Sequence, residues 1–138
     1  MRILAPIKSA EEVEMLAANG AEEFYCGILP KNWLNQFSSG VWMNRRNPLA
    51  SLPSYEEFAA LVERAKKFHI SVFVTLNSPY YTNEQLPVIL EMVKETHELG
   101  AGAFIVSDIG LIKAIKEKVP EASIHVSSLA TAINKHSV

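Results

Sequence analysis

Strand-like and helix-like patterns alternate along the 138 residues of this chain, from its first segment to its last. That rhythm limits the fold more than any single motif, because parallel strands need long crossovers, usually helices, and bury both faces of their sheet. Five short runs rich in β-branched or aromatic residues read as strands: Arg2 to Ile7, Glu23 to Ile28, Ser71 to Asn77, Ala103 to Ile109 and Ser123 to Ser128. Between them, Ser9 to Asn19, Ser54 to His69, Thr82 to Leu99 and Gly110 to Val119 carry apolar residues at three- and four-residue intervals, as in Phe58, Leu61, Val62 and Ala65. The pattern predicts an α/β fold, a parallel (β/α) sheet of about five strands and four helices arranged as a partial TIM-like barrel with incomplete closure. A full barrel usually takes about 250 residues, so the shortfall points to an open sheet, a barrel completed by another chain, or a piece of a longer one.

Three helices open with a hydroxyl followed three residues later by Glu or Gln: Ser9 with Glu12, Ser54 with Glu57, and Thr82 with Gln85. Such capping boxes satisfy the free N–H groups of a helix start. Pro87 lies early in the third helix and predicts an irregular start there. Asn19-Gly20-Ala21 and Leu99-Gly100-Ala101 form a weak repeat, each closing a helix and opening a strand, where Gly can take the left-handed conformation that ends a helix.

Hydrophobic residues make up 49% and charged residues 20%, which suits a soluble domain with one core. A net charge of −2 argues against a strongly basic nucleic-acid surface, while leaving room for a local basic patch. No apolar run reaches the roughly 20 residues needed to span a bilayer. Met1-Arg2 leads directly into the first strand, and the chain is read as cytoplasmic with no membrane partner. Cys26 is the single cysteine, so neither an internal disulfide nor a cysteine-held cluster can be built from this chain by itself. No His or carboxylate pair has metal-ligand spacing, and His69, His97 and His136 read as solvated.

Alternation along the strands sorts side chains into two layers. Val72, Val74 and Leu76 suit the helix side, leaving Phe73, Thr75 and Asn77 to face the barrel axis. By the same count Phe24, Cys26, Ile28, Ile124 and Val126 face the helices, while Tyr25, Gly27, His125 and Ser127 face inward. Cys26 is then a small buried hydrophobe. Ligands of parallel α/β folds bind at the carboxyl ends of the strands, which makes Lys8, Asn77, Asp108, His125, Ser127 and Ser128 the candidates for a site. Each has a structural alternative. Asp108 is equally a cap for the helix opening at Gly110, Asn77 an Asx turn before Ser78-Pro79, and His125 a hydrogen-bonded interior residue. A Ser-His-Asp relay could form only through space.

Leu29 to Pro53 is longer than the usual 2–6 residue connector of α/β units. Following a strand, it hangs over the functional face, as lids and binding segments do. Within it, Arg45 and Arg46 could grip a carboxylate or phosphate, or could be a solvated charge pair. Trp33 and Trp42 could pack the loop onto the rim or cover a neighbouring subunit.

An ordered set of segments resembles the collagenase-like peptidase family, number thirty-two among peptidases of unknown catalytic type. These are Ile3-Leu4-Ala5-Pro6, Gly20-Ala21 with Phe24-Tyr25-Cys26-Gly27, Arg45-Arg46-Asn47, Val74-Thr75-Leu76-Asn77, Ala103 to Leu111, and His125-Val126-Ser127-Ser128 with Asn134. The resemblance implies a (β/α)-barrel of which residues 1–138 form a single domain, the N-terminal part of a longer chain. It implies peptidase-like activity on collagen or gelatin, with Asn77, Asp108 and His125 matching the family's pattern at the barrel mouth as catalytic residues; Arg45, Arg46, Tyr25 and Ser127, placed over or facing the same rim, are read as binding substrate. Other family members support oxygen-independent hydroxylation of RNA bases or of a quinone precursor with an iron–sulfur cluster. The resemblance therefore also implies a portion of such a hydroxylase, its cluster supplied by further sequence or a partner. A third reading is a non-catalytic domain that forms homo-oligomers, docks on a partner or pairs with the remaining half of the barrel, because a bare last strand invites association.

Overall fold

A computed structural model of the chain describes residues 2–37 and 50–130. Among the described residues there are six parallel strands: β1 (Leu4–Pro6), β2 (Glu23–Ile28), β3 (Ser51–Leu52), β4 (Ser71–Leu76), β5 (Ala103–Val106) and β6 (Ile124–Val126). Five helices alternate with them: α1 (Val13–Ala18), α2 (Lys31–Gln36), α3 (Tyr55–Lys66), α4 (Leu86–Glu98) and α5 (Ile109–Lys118). The sheet runs in the order β1-β2-β4-β5-β6, and β3 pairs with the last two residues of β2 through Gly27 with Ser51 and Ile28 with Leu52. It is an open parallel sheet with helical crossovers, the architecture of a barrel that has not closed.

The register shows why the two faces differ. Cys26, Val74, Phe104 and Ile124 are successive partners in one row, as are Leu76, Val106 and Val126 in another. Partners in a parallel sheet share a face, so these side chains build the helix-facing layer. Phe24, Cys26, Val74 and Phe104 are fully buried there against Phe58, Leu61 and Ala65 of α3, Ile89 and Val93 of α4, and Ile115 of α5. Burying each large side chain of this kind contributes about 1.5–3 kcal/mol, and this layer is the main source of cohesion. Val126 departs from it: it occupies the expected face, yet it is 55% exposed, because no described helix covers β6. The opposite, concave face carries Tyr25 beside Phe73, then Thr75, Ile105 and His125 in the next row.

Several boundaries move from their expected places. Residue Ile109, expected at the end of a strand, is the first residue of α5, since the Asp108 side chain accepts the Leu111 N–H and starts the helix. The second expected helix does not run to His69: α3 ends at Lys66, and His69 turns the chain with a positive φ of 57°. Thr82 and Gln85 form the complete capping box, the Thr82 N–H donating to Gln85 Oε1 (2.9 Å) and the Gln85 N–H to Thr82 Oγ1 (3.3 Å). Helix α4 begins only after that turn, at Leu86, with Pro87 in its first turn. Ser54 accepts the Glu57 N–H. Ser9 makes no side-chain cap; Glu12 reaches back to the Lys8 N–H instead, and a short 3-10 turn at Ala10–Glu12 leads into α1.

The long segment after β2 is not a bare loop in its described part. The Asn32 side chain accepts the Trp33 N–H as α2 begins, and Trp33 is fully buried with its ring tilted against Phe37 at 4.5 Å. Packing onto the rim is therefore the role of Trp33. Trp42, Arg45, Arg46, Asn47, Asn134 and His136 lie outside the described residues. Two expectations for histidine divide: His69 is exposed, whereas His97 is half-buried and its Nδ1 is shielded from solvent with no hydrogen-bond partner.

Candidate functional site

The carboxyl ends of β4, β5 and β6 meet at one pole. Asn77 follows β4, Ser107 and Asp108 follow β5, and the Ser107 hydroxyl donates to the Asn77 carbonyl (3.3 Å), joining the two strand exits. Ser127 follows β6; its N–H donates to the Val106 carbonyl (2.8 Å), and its hydroxyl accepts the Leu129 N–H (3.3 Å) where a short 3-10 turn begins. His125 lies on the concave face opposite Ile105, in the row of Thr75. With strand residues rising about 3.3 Å each, the Asn77 position is two residues, or roughly 7 Å, above that row. Tyr25 lies one row further down, beside Phe73.

Asp108 is the organiser of this pole. One carboxylate oxygen accepts the Leu111 N–H (3.1 Å) at the start of α5, and the other accepts the Tyr81 N–H (3.2 Å) from the loop after β4. A single side chain therefore caps a helix and ties together two loops 27 residues apart in sequence. The cap reading of Asp108 is realised, with a second anchoring role added. Tyr81 completes the loop, because its phenolic oxygen accepts the Ser78 N–H (3.2 Å). Burial pushes the Tyr81 phenol above its ordinary value of 10.0; the nearby Asp108 charge pushes the same way, and the Ser78 hydrogen bond opposes them. It is a neutral anchor at neutral pH.

His125 is exposed, and its ring meets Phe73 edge-on at 4.8 Å. Among the described residues no hydrogen bond links it to Asp108 or Ser127, so the three do not form a relay. Asn77 and Asp108 are half-buried, Ser127 is buried, and Lys8 and Ser128 are exposed at the same end of the sheet. Asn77 and Asp108 are thus linked at neighbouring strand exits through Ser107, while His125 and Tyr25 lie on the sheet face below.

The residue that sequence reasoning overlooked is Tyr81. Its signal was present: an apolar residue just before the capping Thr82, with Leu86 four positions after the cap, is a hydrophobic staple. Both side chains pack against the core. A cluster-binding role finds no fit in these residues. Cys26 is fully buried on the helix side, with Sγ 3.8 Å from the Phe73 carbonyl. No group of three or more His, Cys, Asp or Glu able to hold a metal ion occurs among the described residues. Among those residues, too, no helix is long and apolar enough to cross a membrane.

Comparison with known proteins bears on both the fold and its use. Proteins named tRNA hydroxylation protein P are similar to this chain over nearly its whole length. The one from Escherichia coli K12 is 30% identical over 132 residues, covering 96% of this chain and 26% of the relative. Those from Helicobacter pylori 26695 and Haemophilus influenzae are 25% and 27% identical over 134 and 132 residues, covering 29% and 26% of the relatives. The chain thus spans little more than a quarter of the length of these curated relatives. Residues 8–138 match the sequence model of Peptidase family U32, and on that match the chain belongs to this family.

Proposed function

We propose that this chain is the N-terminal (β/α) portion of a cytoplasmic protein that takes part in tRNA hydroxylation. In this reading Asn77, Asp108 and His125 form the rim that meets the RNA, with Tyr25, Ser127, Arg45 and Arg46 contributing to its binding. The observation that carries the reading is the name tRNA hydroxylation protein P, shared by relatives that match 96–97% of the chain. The clustering of polar strand ends at one pole supports it, since ligands of parallel α/β folds bind there.

The chain's own contribution is binding and orientation. Hydroxylation without oxygen calls for redox chemistry, and several cysteine thiolates would be needed to hold an iron–sulfur cluster. Cys26 is the single cysteine of the chain and is buried away from the pole, so a cluster would be held by other sequence or by a partner. Among the described residues β6 is the last strand of the sheet and Val126 is exposed on it, which supports docking of such a partner, whether further barrel strands or a second copy of this chain.

Deleting the gene for this chain and analysing tRNA nucleosides by mass spectrometry tests the reading. A hydroxylated nucleoside should disappear and return on complementation; an unchanged set of nucleosides refutes it. Peptidase activity is the second reading, favoured by the description of the matching family. Release of peptides from gelatin by the purified protein, lost in His125→Ala, would replace the first reading with the second.

A further inference from the structure

We propose that Tyr80, with Ile109 beside it, is a stacking platform for an unpaired base of the RNA; the inference rests on the reading above and identifies where that substrate is held. Tyr80 and Ile109 are 73% and 70% exposed, the two highest values among the large hydrophobic residues of the described chain. Both stand at the pole of the strand ends. They are adjacent through their neighbours, because Tyr81 donates its N–H to the Asp108 carboxylate, which places Tyr80 one residue before this contact and Ile109 one residue after it.

The loop that displays Tyr80 is tied by hydrogen bonds. Pro79 restricts the backbone before it, the Ser78 hydroxyl donates to the Tyr80 carbonyl (3.2 Å), and the Ser78 N–H donates to the half-buried Tyr81 phenol (3.2 Å). An aromatic ring held out of the core by a tied loop costs solvation without contributing to packing. A backbone tied by these hydrogen bonds has less freedom to lose when a ligand arrives, which favours binding. The same two loops line a cleft of about 190 Å³ whose polar wall includes Thr82, Asn83 and Asp108. Tyr80 and Ile109 do not line this cleft but each is one residue from a side chain that does, Tyr81 and Asp108; an exposed aromatic ring flanking amide, hydroxyl and carboxylate groups suits the way proteins hold splayed-out bases, with stacking for affinity and hydrogen bonds for the base edge.

The test uses the 138-residue chain, intact tRNA, and a fluorescein-labelled single-stranded oligoribonucleotide with an abasic counterpart. Tyr80→Ala should weaken binding of the oligoribonucleotide about tenfold, and Tyr80→Phe, which keeps the ring, should change it little. The abasic strand should bind the unmodified chain as weakly as the intact strand binds Tyr80→Ala, with no further loss when the two changes are combined. Equal binding by Tyr80→Ala and the unmodified chain overturns the stacking site while leaving the tRNA reading in place. Failure of the unmodified chain to bind tRNA overturns both.

Discussion

Replacing His69 with Gly should stabilise the protein, against the usual direction for a glycine substitution. Among the described residues one helix-to-strand turn occurs three times. In the first, the Gly20 N–H donates to Ala17 and the Ala21 N–H to Leu16; in the third, Gly100 donates to His97 and Ala101 to Thr96. Between them, His69 donates to Lys66 and Ile70 to Ala65 in the same pattern. This is the Schellman arrangement, and its turning residue takes a left-handed conformation. Gly20 and Gly100 do so at φ of 90° and 101°, while His69 does so at 57° with a Cβ. Left-handed backbone costs an L-residue about 1–2 kcal/mol, and a new glycine returns about 0.4–1 kcal/mol through the greater entropy of the unfolded chain. The His69 side chain is exposed, so little packing is lost. The net gain is about 0.5–1 kcal/mol, or roughly 2–4 °C in Tm for a domain of this size.

Thermal unfolding followed by circular dichroism reads the effect, and two reverse substitutions calibrate it. A Cβ on Gly100 would meet Val62 Cγ1 at 3.2 Å, whereas one on Gly20 meets nothing nearer than Ile3 Cδ1 at 3.9 Å. Gly100→Ala should therefore cost more than Gly20→Ala, within the roughly 1–3 kcal/mol typical of strained backbone. A His69→Gly protein no more stable than the parent would refute the reasoning, because the turn would then carry no strain for glycine to relieve.

Asp108→Ala should lower stability by about 1–2 kcal/mol in urea unfolding, since it leaves the Leu111 and Tyr81 N–H groups without their acceptor; Asp108→Asn, still a good cap, should lose much less. Trp33→Ala should cost about 3–5 kcal/mol, as expected for a large side chain with no exposed surface, and a shift near zero would show that α2 is not docked. The Tyr55 phenol is pushed up from 10.0 to about 12, first by burial and then by the charge and hydrogen bond of Glu95. Its contribution to stability is complete below pH 10, where both folded and unfolded phenols are protonated, and is lost as the pH rises toward 12. Tyr55→Phe should flatten that alkaline decline in unfolding experiments, and an unchanged decline would assign it to other groups.

The layered α/β plan was legible because each part of it is written in short-range periodicity. Val72, Val74 and Leu76 alternate with Phe73 and Thr75, and that spacing sorts the faces before any contact is known. The Thr82 and Gln85 capping box and the Gly20 and Gly100 turns are likewise local chemistry, decided within a few residues. The middle turn escaped notice because His69 stands where its counterparts have glycine, so the mark of the repeat is erased while its hydrogen bonds persist. The placement of Asn77, Asp108, His125 and Ser127 at one pole follows from all strands being parallel, a consequence of the crossover helices.

Tertiary structure alone decided the rest. Nothing near Asp108 in the chain announces that its second oxygen will hold Tyr81, and nothing near Trp33 distinguishes a residue docked in the core from one on a mobile lid. β3, two residues long, exists only because Ile28 offers Leu52 a parallel partner. The physical reason is common to all three. Periodicity and capping are energies of neighbours along the chain, while these contacts join distant segments, Tyr81 to Asp108 across 27 residues and β2 to β3 through Ile28 and Leu52, and form only once the sheet has set their distance.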